Sequence, residues 1–101
     1  MLQFKLDRIY AVVTKAAAYT VTLNDCFVRF DATSGALAPV LPSALSANKL
    51  FFRFKKIDST ANTVTITCAG SDTIDGAATK VLSAQYASVT LISNGVTWDI
   101  V

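Results

Sequence analysis

The stretch KLFFRFKKIDSTANTVTITCAGSDTIDG at residues 49–76 decides the fold. Leu50, Phe52 and Phe54 form a wholly apolar set, while Phe51, Arg53 and Lys55 stand between them. Val64, Ile66 and Cys68 alternate in the same way with Thr63, Thr65 and Thr67. A period of two is what a strand with one buried face requires. Asp58, Ser59, Thr60, Ala61 and Asn62 separate the two runs, and short polar side chains of this kind bond to nearby main chain and tolerate turn dihedrals. The stretch therefore predicts a β-hairpin, with a sheet as the scaffold.

Toward the N-terminus, Tyr19, Val21 and Leu23 alternate with Thr20 and Thr22, and Asn24-Asp25 leads into Cys26, Val28 and Phe30. That pattern predicts a second hairpin, whose far face holds Phe27, Arg29 and Asp31. Before it, Leu2, Phe4 and Leu6 and then residues 9–14 have strand character, and the Ala16–Ala18 run carries no turn chemistry. The expected organisation is an N-terminal attachment or clasp segment at 1–18 and one β domain at 19–101. DATSG at 31–35 is a cluster of turn formers. Pro39 lacks a ladder donor, so 38–41 is expected to be at best an edge strand. Ser43 is placed to cap a single helical turn over 43–48. Gly70 and Gly76 suit positive-φ turns. Residues 79–83 and 88–92 predict further strands, and Asn94-Gly95 between two apolar runs marks a type I′ hairpin returning through Trp98 and Ile100.

Composition agrees with an all-β chain. All seven acids are Asp, with no Glu, and Thr, Ser and Val stand where helix formers would be. A chain of 101 residues makes one domain with a small core, yet 52% of it is hydrophobic and it carries six Phe, three Tyr and one Trp. Some of that surface is expected to meet another subunit; a monomer with a well-filled core is the alternative. A net charge of +2 gives no ground for nucleic-acid binding. Arg53, Lys55 and Lys56 read as a solvated strand face, with a basic contact patch as the alternative. The N-terminal apolar residues are broken by Lys5, Asp7 and Arg8, which fits neither a signal peptide nor a membrane span, so a soluble product is expected.

The chain has no His, which removes the usual general base, most metal sites and any Ser-His or Cys-His pair. Asp72 and Asp75 are the remaining carboxylate pair, and in a Gly-containing turn they are expected to cap main-chain amides. No catalytic residue, metal or cofactor is expected. Cys26 and Cys68 read as small buried thiols within strands, with neither zinc nor a disulfide favoured.

YTVTLNDCFVRFDATSGA at 19–36, FKKIDSTANTVTI at 54–66 and DTIDGAATKVLSAQYASVTLISNGVTWDIV at 72–101 resemble a small β-rich module at the ends of bacteriophage and prophage fibre and virion proteins. The likeness spans 19–101, and its landmarks are 31–35, 55–58, 62–66, 73–76 and 88–98. It implies an antiparallel β-sandwich or jelly-roll-like domain forming a homotrimeric knob, made in a bacterial host and carried on the virion. Only about eighteen residues precede the likeness, where a fibre would have a long stalk. A capsid decoration or cement protein contacting the major capsid protein is therefore expected; a fibre tip binding a host-surface glycan or receptor is the alternative. Leu2, Phe4, Leu6, Ile9, Tyr10, Phe51 and Arg53 are the expected virion-anchoring or subunit-interface residues.

Overall fold

A computed structural model describes residues 11–101 of the chain. Seven strands form among them: β1 (Val12–Lys15), β2 (Phe27–Phe30), β3 (Phe51–Lys56), β4 (Val64–Thr67), β5 (Thr79–Leu82), β6 (Ser88–Ser93) and β7 (Trp98–Ile100). The domain is all-β. Five strands make one sheet in the order β1-β2-β3-β6-β7, and β4 pairs with β5. The sheet is mixed. β1, β2 and β3 run parallel, whereas β3-β6, β6-β7 and β4-β5 are antiparallel.

The parallel strands overturn the antiparallel arrangement and two of the expected hairpins. Parallel neighbours need a crossover, and here each crossover is an extended segment in a second layer. Thr20 bridges Val40 and Val40 bridges Thr67, both in parallel, and Leu37 bridges Val64. The chain thus coils from β1 through 19–21 to β2, through 37–41 to β3, and on to β4. Asn24-Asp25 is a corner of this coil, not a hairpin turn: Asp25 accepts bonds from Thr22 N (2.9 Å) and the Tyr19 hydroxyl (2.6 Å). The 58–62 turn likewise reaches sideways to the preceding coil, where Asn62 Nδ2 donates to Ala32 O (2.8 Å). Residues 38–41 are not an edge strand, because they lie between 19–21 and β4. The missing Pro39 N–H simply leaves a gap in that parallel ladder, between Thr65 N→Leu37 O and Thr67 N→Pro39 O (both 2.9 Å).

The expected C-terminal hairpin and the Ser43 cap form, although the hairpin's turn is not of the expected type I′. β6 and β7 form the C-terminal hairpin, with Ser93 opposite Trp98. Its loop spans 94–97 and is wider than a type I′ turn: of its residues only Gly95 has positive φ (92°), and Asn94 Oδ1 accepts from Val96 N and Thr97 N (both 2.9 Å). Ser43 caps its turn, with Ser46 N donating to Ser43 Oγ (3.1 Å) and Ala47 N to Ser43 O (3.0 Å).

The inward residues Val28, Phe30, Phe52, Phe54, Val89, Leu91 and Trp98 join Val64, Ile66, Leu82, Val21 and Leu41 of the second layer in one buried cluster. Phe52 lies 6.1 Å from Phe54 and 5.7 Å from Trp98, ring centre to ring centre. Burial of this kind contributes roughly 25 cal/mol for each Å² of apolar surface removed from water. Lys56 departs from the solvated face expected of it. It continues the inward row after Phe54 and is fully buried. β1 is an edge strand of the same sheet, so residues 12–15 of the expected N-terminal segment pair with β2.

Candidate interaction surface

Alternation in the five-stranded sheet gives it an outer face as well as a core face. Register aligns Val12, Phe27, Arg53 and Thr90 in one row, Thr14, Arg29, Lys55 and Ser88 in the next, and Phe51 beside Ile92. Val12 is 58% exposed and Phe51 53%; Arg53 is exposed, while Phe27, Arg29, Lys55 and Ile92 are half-buried. The face is therefore aromatic and aliphatic with three cations set among its apolar side chains.

Those cations are positioned by their neighbours. Arg53 Nε donates to Thr90 Oγ1 across the β3-β6 pair (2.9 Å), and Arg29 Nη1 to Thr14 Oγ1 across β1-β2 (3.3 Å). Lys55 Nζ sits 5.3 Å from the centre of the Tyr86 ring, a cation–π contact. Among the described residues the ion pair formed is Lys56–Asp58, on the opposite side of the sheet. Arg29, Arg53 and Lys55 thus present positive charge without a carboxylate salt bridge among those residues.

Of the residues expected to anchor the protein, Phe51 and Arg53 are brought together on this face, two apart on β3. Leu2, Phe4, Leu6, Ile9 and Tyr10 lie outside the described residues. Val12, Phe27, Arg29 and Ile92 were not singled out by sequence, although the alternation of 26–31 already separated Phe27 and Arg29 from the core set. What the sequence lacked was the parallel pairing that sets those residues beside Arg53.

The remaining polar groups hold the fold. Asp72 Oδ2 accepts from Ala44 N (2.8 Å) and Asp75 Oδ1 from Ile100 N (3.1 Å), so both carboxylates cap main-chain amides. Cys26 and Cys68 are free, half-buried thiols just outside the ends of β2 and β4. Burial and then the Asp72 carboxylate push the Cys68 thiol up. At the 19–25 corner, burial, the bond to Asp25 and the charge of that carboxylate raise the Tyr19 hydroxyl to about 12, and Thr22 opposes them. Lys15 Nζ lies 4.5 Å from the Tyr19 ring centre.

Compared with models of known protein families and with curated proteins, the chain matches none.

Proposed function

We propose that the chain is a structural protein of a bacteriophage virion, a homotrimeric decoration or cement protein that adheres to the capsid and stabilises it. The observation that carries the reading is the exposed apolar and basic outer face of β1, β2, β3 and β6. A face with exposed Val12 and Phe51 around an exposed Arg53 suits protein contact, where aromatic residues and Arg concentrate binding energy. The sequence likeness to virion modules supports the same reading. Leu2, Phe4, Leu6, Ile9 and Tyr10 are further candidate contacts. The sandwich or jelly-roll-like character of the knob belongs to this proposal. Each bound trimer opposes separation of the capsid subunits beneath it, in proportion to occupancy and affinity.

Particle binding tests the reading. Purified protein, mixed with phage particles and centrifuged through a density gradient, is expected to travel with the particles. Phe51→Glu combined with Arg53→Glu is expected to leave it at the top of the gradient without changing its melting temperature. Retention on a glycan array, with no particle binding, would transfer the protein to the receptor-binding alternative.

A further inference from the structure

β5 is the open edge of the second layer. Its partner β4 turns the main-chain groups of Thr63, Thr65 and Thr67 toward 37–41, through Leu37 N→Thr63 O (3.0 Å), Thr65 N→Leu37 O, Thr67 N→Pro39 O and Leu41 N→Thr67 O (each 2.9 Å). Ladder bonds alternate sides along a strand, so Val64 and Ile66 direct theirs to β5, where they face Leu82 and Lys80. The N–H and C=O of Thr79 and Val81 consequently point away from the sheet, and Ser83 continues their row. Residues 77–79, 81, 83 and 84 are all exposed, so no described segment covers this edge. Sheet edges are ordinarily blunted by proline, clustered charge or a bulge. AATKVLSA at 77–84 has no proline and one charge.

We infer that β5 pairs antiparallel with β5 of a second copy, about a two-fold axis at Val81. This register sets Val81 against Val81, Thr79 against Ser83 and Lys80 against Leu82 of the second copy. The outward N–H and C=O of residues 79, 81 and 83 then all find partners. Val–Val and Thr–Ser are favourable cross-strand pairs. Sliding the pair so that the axis falls at Lys80 would oppose two ammonium groups, a destabilising contact; the axis at Val81 avoids it. The two second layers join into one continuous sheet. A two-fold axis doubles whatever unit carries β5: a monomer becomes a dimer, and the trimer proposed above becomes a pair of trimers. The inference therefore stands apart from the virion reading.

Light scattering on the full chain over a concentration series tests it, with Val81→Pro and Val81→Lys as variants. Proline at 81 removes an N–H that points out of the molecule and is compatible with an edge strand; lysine places like charges across the axis. The expected result is that the unsubstituted chain reaches twice the mass of either variant, while both variants keep its circular-dichroism spectrum. A variant that folds and attains the same mass as the unsubstituted chain overturns the pairing, as does an unsubstituted chain that never exceeds the mass of the variants. Should Val81→Pro fail to fold, Val81→Lys decides by the same comparison. A halving from two copies to one retains the pairing and removes the trimer.

Discussion

The Lys56 ammonium lies 2.7 Å from Oδ2 of Asp58, and both side chains are enclosed, at 0% and 4% exposure. Lys56 Nζ also donates to Asp58 O (3.1 Å) and Thr60 O (2.9 Å), which uses all three of its protons. Asp58 accepts from Ala32 N (2.7 Å), Thr60 N (3.1 Å) and the Thr60 hydroxyl. One ion pair thus ties the end of β3 to the 31–33 turn of the preceding coil. Removing one member strands the other in the interior, whereas replacing both by apolar groups relieves both. Lys56→Met and Asp58→Leu are each expected to lower the melting temperature more than the double variant does, measured by thermal denaturation as a double-mutant cycle.

The same pair sets the acid response. Burial raises the Asp58 carboxyl, but bonds from Lys56, Thr60 and the main chain of Ala32 and Thr60 outweigh it and hold the group well below the usual carboxylate range. A folded value below the unfolded one of about 3.9 means stabilisation that is complete above about pH 4 and is lost as the pH falls further. Tyr19 acts at the other extreme. With its hydroxyl raised to about 12, from an unfolded value near 10, its contribution is complete below about pH 10 and fades as the pH rises toward 12. Denaturant titrations at a series of pH values are expected to show both declines, and Tyr19→Phe to flatten the alkaline one.

Trp98 is fully buried against Phe52, and its Nε1–H has no hydrogen-bond partner among the described residues. Trp98→Ala is expected to cost about 3–5 kcal/mol of stability. Trp98→Phe removes the unpaired donor along with some packing and is expected to cost less than half as much. As the one tryptophan, Trp98 gives a fluorescence signal that is blue-shifted in the native state and moves red on unfolding, which supplies the measurement.

Gly95 and Gly70 separate two costs of adding a side chain. Both have positive φ, 92° and 57°. A Cβ on Gly95 would lie 2.9 Å from Asn48 Oδ1, whereas one on Gly70 meets nothing within 4 Å. Gly70→Ala is expected to cost about 1 kcal/mol from backbone strain alone. Gly95→Ala is expected to cost about 2–3 kcal/mol in chemical denaturation, with Asn48→Ala restoring part of it.

Strands were legible in this sequence because alternation is local: Phe52 and Phe54, Val64 and Ile66, and Val28 and Phe30 all mark buried faces correctly. Pairing was not, since a parallel partner fifteen or more residues away leaves no local trace, and Asn24-Asp25 or 58–62 look the same whether they turn a hairpin or round a coil. Lys56 was misplaced for a related reason. Its position in the inward row was visible, but the partners that make a buried lysine tolerable, Asp58 and Thr60, are supplied by a turn whose direction the sequence did not give. On the outer face, Phe51 and Arg53 were legible as neighbours because they share one strand. Phe27 and Val12 join them through β2 and β1, so they became neighbours only once the parallel register was known.

The outer face gives the most direct test of the virion reading. On that reading, particles of a phage or prophage encoding the chain would be purified through a density gradient and their protein content measured by mass spectrometry. The account predicts this protein in the particle fraction at a fixed ratio to the major capsid protein, and its loss from that fraction when Phe51 and Arg53 are both replaced by Glu. Particles that lack it while the protein accumulates in the soluble fraction would contradict the account.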